Sequence, residues 1–351
     1  MAEMSVRDAF LQQAAACAAL ESPFTAQLCR LLGERLTVGN AVADRILNWP
    51  GDASAVGDSV PLRLAGALHA LVLEGRSEAL IARYPPHQGE GEDEALWQAV
   101  ESALIAEETF ILHRLDGPPQ TNEVRRSAAT LPMFLEAARR FGLPLALSEV
   151  GASAGLNLHL DGYRITLGDK SWGEATSQVQ ICPRWHGAPP PDLPLDILSR
   201  AGCDLLPVDP SRAEDRERML SFIWPDQPER MVRTRAALDL AAKSDIRVER
   251  CDAADWLARR LETPMPGVAH VIYSTIAWQY FPAGKQREGA ALIHAAGAQA
   301  TEEAPIIWAR MEGDSGRPGA GLTMTFWPGG ETRLVGRADY HGRWIDWKGI
   351  S

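Results

Sequence analysis

The chain has 351 residues, 46% of them hydrophobic, and a formal net charge of -11 at neutral pH. That length accommodates two domains or one large one with an ample core, and the charge argues against a general phosphate-backbone binder, whose affinity is built on clustered lysine and arginine. Glu3 and Asp8 flank an alanine-rich start that lacks a basic n-region and has too little apolar length to span a bilayer. The expected setting is therefore cytoplasmic, without a membrane partner. The five cysteines, Cys17, Cys29, Cys182, Cys203 and Cys251, include no C-x-x-C pair and read as reduced thiols. Cys182 and His186 stand four apart, but no second such pair accompanies them, so no metal is expected.

From residue 5 to about 141 the pattern is helical. Ser5 three residues before Asp8 is close to a capping box, and Ser22-Pro23 starts a second helix with Leu28, Leu31, Leu32 and Leu36 on its buried side. Further helices are expected at 42–47, 61–73, 77–82, 94–108 and 123–140, with the 89–93 run a solvated loop. This makes 1–142 an all-helical N-terminal domain. Its last stretch, DGPPQTNEVRR at 116–126, offers Asn122 as a helix N-cap and Glu123 in the first turn. The same polar cluster, with Arg126, also suits a lid over a ligand bound by the segment that follows.

That segment is LPLALSEVGASAGLNL, residues 143–158. A short apolar run fits a strand buried on both faces of a parallel sheet, and the glycines after it allow a sharp turn into a helix start with unpaired N–H groups. The combination predicts a nucleotide-like ligand at the end of a first strand. Gly151 and Gly155 do not make the G-x-G-x-x-G of a dinucleotide fingerprint, which leaves a nicotinamide-dependent oxidoreductase the weakest of the enzyme readings.

Next come an inserted β-hairpin at about 160–186, with arms at 163–167 and 177–181, a proline-rich loop at 187–194, and a short helix at 195–200. A second strand is expected at 201–209, helices at 213–223 and 229–243, and a third strand at 245–250. Asp252 can cap a helix at 254–261. A fourth strand at 268–274 ends in Tyr273 and Ser274 and leads to Trp278, Gln279 and Tyr280. In open parallel sheets such a strand end faces the ligand, though Trp278 and Tyr280 serve equally well as core. A helix at 285–300, a fifth strand at 305–311 and three antiparallel strands at 322–327, 332–340 and 343–347 complete the chain.

The run Glu149-Val150-Gly151-Ala152-Ser153-Ala154-Gly155 resembles the first motif of class I S-adenosylmethionine-dependent methyltransferases, a carboxylate followed by alternating glycines, with serine at the middle glycine. The order of elements over about 200 residues agrees with that family. The resemblance implies an α/β Rossmann-like methyltransferase sheet with terminal antiparallel strands over 143–351. S-adenosylmethionine would be the cofactor and a small molecule the methyl acceptor. It also implies that Glu149, Gly151, Ser153, Gly155 and Asn157 hold the methionine end of the cofactor. A carboxylate at the end of the second strand, Asp204 or Asp209 (Asp169 if the hairpin is misread), would pair with the ribose hydroxyls, and Asp252 with Ala253 would lie against the adenine. Ser274, Asn122 and Arg126 join the cofactor set, Trp278 and Gln279 the substrate set. No compelling base stands out among Tyr273, Tyr280, His341 and Glu123. The alternative is a cofactor-binding or sensing protein of the same fold without transfer activity. The whole chain also resembles an uncharacterised bacterial family, a domain of unknown function.

Overall fold

The computed structural model describes residues 5–87 and 93–350. In chain order the first helices are α1 (Val6–Ala19), α2 (Pro23–Arg35), α3 (Ala41–Leu47), α4 (Val60–Leu73), α5 (Glu78–Ile81), α6 (Asp93–Ala106), α7 (Glu108–Leu115) and α8 (Ser127–Phe141). Strands β1 (Leu145–Val150), β2 (Arg164–Leu167), β3 (Lys170–Trp172), β4 (Gln180–Ile181), β5 (Arg184–Gly187) and β6 (Ile197–Asp204) follow. After them come α9 (Ala213–Ser221), α10 (Pro228–Ala242), β7 (Val248–Arg250), α11 (Ala253–Arg260), β8 (Ala269–Thr275) and α12 (Ala283–Gly297). The chain closes with β9 (Ile306–Glu312), β10 (Ala320–Trp327), β11 (Glu331–Ala338) and β12 (Trp344–Trp347).

Two compact units divide at 121 rather than at 142. The first comprises 1–121 and 213–232, the second 122–212 and 233–351. In the first, Phe10, Leu28, Leu32, Leu64, Leu68 and Val100 pack from α1, α2, α4 and α6 into one apolar core. Ser5 caps α1 by accepting from the Asp8 amide, while Ser22 makes no cap and donates its hydroxyl to Asp226 at 2.5 Å. The helix expected over 94–108 is α6, and a further helix, α7, follows it from Glu108. The expected loop at 89–92 lies outside the described residues, and Asp93 already belongs to α6. Helix α8 belongs to the second unit, where Phe134 meets Tyr273 of β8 edge to face at 5.1 Å.

The second unit is a mixed α/β structure around a nine-stranded sheet of order β5-β12-β11-β10-β9-β8-β1-β6-β7. Strands β7, β6, β1, β8 and β9 are parallel neighbours, and β10 to β12 continue antiparallel. The parallel strands thus run third, second, first, fourth, fifth, and the order reverses at β1. All residues of β1 and β8 are buried, as strands covered on both faces require. Val150, Ile272, Trp308, Trp256, Leu257 and Ile293 form the core on the α11–α12 face, while Glu149 and Tyr273 point to the α8 face.

Three expectations change here. Residues 195–200 are not helical: β6 starts at Ile197 and pairs with β1 from Leu145. The second parallel strand therefore ends at Asp204, not at 209. The inserted hairpin is β2 with β3, turning at Gly168-Asp169, and β4 adds parallel to β2. Asp169 therefore sits in a turn of a separate three-stranded sheet and not at the end of a strand of the nine-stranded sheet.

Candidate functional site

The turn after β1 is built from alternating left-handed residues: Gly151, Ser153 and Gly155 have φ of +71°, +54° and +70°. Glycine adopts that conformation freely, whereas Ser153 is strained by its Cβ. The end of β6 holds the turn in place. The Gly151 and Ala152 amides both donate to the Cys203 carbonyl at 3.0 Å, and the Ser153 amide donates to Asp204 Oδ2 at 2.9 Å. A Cβ on Gly151 would stand 2.4 Å from the Ala277 Cβ, so glycine is required there by the loop after β8 as well as by φ. Asn122 does not cap its own helix. Its Oδ1 accepts from the Leu156 amide at 2.7 Å, and Glu123 instead caps the short 3-10 turn that leads into α8.

Glu149 is 1% exposed, and its Oε2 accepts from the Tyr273 hydroxyl at 3.1 Å. Burial pushes its pKa up to about 8, against the pull of the Tyr273 hydroxyl, the Arg126 guanidinium and the Asn157 amide, and the Asp204 carboxylate adds to the rise. Asn157 accepts from the Ser127 hydroxyl at 2.8 Å and its amide bears on Glu149, while the Ser153 hydroxyl is buried without a hydrogen-bond partner. An orphaned hydroxyl in the turn at the carboxyl end of β1 calls for a ligand or water.

The loop after β8 is fixed from two sides. Arg126 donates to the Thr275 and Tyr340 carbonyls, each at 3.0 Å. Glu312, at the end of β9, accepts from the Ala277, Trp278 and Gln279 amides at 3.2, 3.1 and 3.4 Å. Between them Ile276 has φ +50°, an outlier for a β-branched residue and a mark of a segment over-determined by its surroundings. Trp278 is core, packed on Trp308 and Phe281. Gln279 accepts from the Gly313 amide at 2.7 Å.

Of the carboxylates, Asp204 is held by the Ser153 and Leu206 amides at the end of β6, beside the β1 turn. Asp209 lies beyond the strand and closes a turn onto Ser211. Asp252 caps α11, whose first residue is Ala253, through the Ala254 amide at 2.9 Å and also meets Lys285 at 3.2 Å. The four candidate bases are dispersed. Tyr273 is fully buried against Glu149, and Tyr280 is 58% exposed. The Glu123 carboxylate meets Arg233 at 3.5 Å, and His341 follows β11 in a turn where its amide donates to Asp339. Sequence reasoning missed Glu312, Ile276 and Ser127, whose roles depend on contacts distant in the chain.

A cavity of about 210 Å³ lies at the other end of the sheet, lined by Leu261, Met265, His270, Leu292, Ala296 and Ile306. Of its lining residues His270 meets the Ser148 hydroxyl through Nε2 at 2.8 Å, that hydroxyl accepts from Arg260 at 3.0 Å, and burial holds the His270 pKa down at about 3. Ligands of open parallel sheets bind at the carboxyl ends of the strands, where the order reverses. That rule selects the β1 turn over this cavity. Among the described residues no helix is long and apolar enough to cross a membrane.

Residues 7–347 match the family described as "Uncharacterized protein conserved in bacteria (DUF2332)", and the chain belongs to it. No curated protein and no solved structure matches the chain.

Proposed function

We propose that this member of that bacterial family is an S-adenosylmethionine-dependent methyltransferase acting on a small molecule, with a Rossmann-like sheet whose cofactor lies at the carboxyl ends of β1, β6 and β7. One observation carries the proposal: the left-handed turn at Gly151, Ser153 and Gly155 is tied to Asp204 at the end of the adjacent strand, where the strand order reverses. The orphaned Ser153 hydroxyl fits a ligand rich in hydrogen-bonding groups.

Residues 151–157 and Glu149 would hold the amino-acid end, Asp204 the ribose hydroxyls, and Asp252 with Ala253 the adenine. Asp209 leaves the set, because its carboxylate is turned onto Ser211. When bound, the cofactor supplies an electrophilic methyl group on a sulfonium. The chain supplies position and exclusion of water. Tyr273 acts on Glu149 as a hydrogen-bond donor and not as a base toward substrate. The acceptor therefore brings its own nucleophile in reactive form.

That same engagement of Tyr273 favours the second reading, a cofactor-binding or sensing protein without transfer. Radiolabelled methyl transfer to any member of a broad acceptor panel would count against it. Equilibrium dialysis with S-adenosylmethionine tests the cofactor site. Binding weakened at least tenfold in Asp204→Ala, in a folded variant, is expected, and unchanged binding would remove Asp204 from the site.

A further inference from the structure

Strand β9 reads Ile306-Ile307-Trp308-Ala309-Arg310-Met311-Glu312, with a guanidinium in an otherwise apolar stretch. Arg310 is mostly buried on the α12 side, with its Cζ 4.1 Å from the centre of the Trp308 ring. Its guanidinium makes no hydrogen bond or ion pair with any described residue, and its Nε is buried without a partner. Trp308, 4% exposed, leaves its Nε1 without a partner as well. Fully buried Ser274, the residue paired with Arg310 across β8 and β9, has its hydroxyl on the Glu312 side. The carboxylate that bears on Arg310 is Glu312, two residues along the same face. Its oxygens are taken by the amides of 277–279, and burial raises its pKa.

A half-buried guanidinium with no direct ion pair among the described residues is costly to keep in a strand. Here it is accompanied by a further orphaned donor, the Trp308 indole, and stands against an aromatic face. A planar fork of N–H groups matches the oxygens of a carboxylate or phosphate, which can accept two parallel bonds from it. We propose that Arg310, with Trp308, is an oxyanion subsite that receives the carboxylate or phosphate group of a small molecule. Val150 ends β1 one residue beyond the Glu149–Tyr273 pair, so it is level with Ser274 and Arg310. Two strand spacings put Arg310 roughly 10 Å from the end of β1. A small molecule anchored at Arg310 can extend to that end of the sheet. Resting on the methyl-transfer proposal, the subsite makes the acceptor an anionic small molecule.

The test is a ¹H–¹⁵N titration of the full-length protein with sodium phosphate and, separately, sodium succinate, each at constant pH and at an ionic strength held with sodium chloride. The Trp308 indole resonance is assigned with Trp308→Phe. A saturable shift of that resonance with one of the two salts, weakened at least tenfold in Arg310→Gln and severalfold in the charge-preserving Arg310→Lys, is the expected result. The effective salt identifies phosphate or carboxylate as the group bound. Shifts no larger than those from chloride, or shifts unchanged in a folded Arg310→Gln, would overturn the subsite. S-adenosylmethionine affinity, measured on the same Arg310→Gln, is expected to be unchanged, which separates failure of the subsite from failure of the cofactor proposal.

Discussion

Replacing Glu149 by glutamine removes the one carboxyl that this fold holds protonated between β1 and β8. In the folded protein burial raises its pKa to about 8, whereas in the unfolded chain a glutamate titrates near 4.3, so a gap of roughly 3.7 units corresponds to about 5 kcal/mol. The sign is set by proton binding. Between those two values the folded state keeps a proton that the unfolded state has released, so stability falls as pH rises and the loss is complete above about pH 8. Glutamine has the shape of the protonated acid and does not titrate. The stability of Glu149→Gln minus that of the wild type should therefore grow with pH, approaching ~1.4 kcal/mol per unit and totalling roughly 3–4 kcal/mol between pH 5 and 8. Urea unfolding of both proteins at each whole pH value in that range gives the difference by linear extrapolation, with all other titrations cancelling. A difference that stays flat, or that shrinks with pH, would show that Glu149 ionises normally in the fold and would refute the assignment of a desolvated acid.

Ser153→Ala removes a buried hydroxyl without a partner while leaving the backbone strain in place, so the variant should be more stable by about 1 kcal/mol in thermal unfolding; destabilisation would place an ordered partner on that hydroxyl. Asp252→Ala loses the α11 cap and should cost about 1 kcal/mol, with Asp252→Asn retaining most of it; equal losses in the two would assign the effect to the Lys285 ion pair instead. Arg126→Ala unties the Thr275 and Tyr340 carbonyls at a cost of about 2–3 kcal/mol, and amides at 275–281 should exchange with solvent faster. Unchanged exchange there would mean that Glu312 alone fixes the loop.

The parallel strands were legible because full burial demands continuous apolar runs, as at β1 and β8. The few polar residues inside those runs, Glu149 and Ser274 among them, were legible as site candidates for the same reason. Strand β6 was read as a helix over its first residues because its outer half is exposed and carries Ser199 and Arg200 in place of an apolar run. The boundary at 142 was misplaced because α8 has the same helical pattern as its predecessors, and only its contact with β8 assigns it to the sheet. Asn122 looked like a cap and is one, but for the Leu156 amide 34 residues away, a pairing that local spacing cannot reveal. Arg310 gave a signal that went unused: a lone guanidinium in a buried strand needs a partner, and the sequence offers none at its own spacing except Glu312.

A substitution at Gly151 would confound folding with binding, since any Cβ there meets Ala277. The most direct measurement is therefore made on the unaltered protein: isothermal titration with S-adenosylmethionine, S-adenosylhomocysteine and NAD. The expected result is saturable one-to-one binding of the first two and none of NAD. Absence of binding by both sulfur ligands, or binding of NAD in their place, would contradict the methyltransferase assignment and leave an α/β fold with a different ligand at the β1 turn.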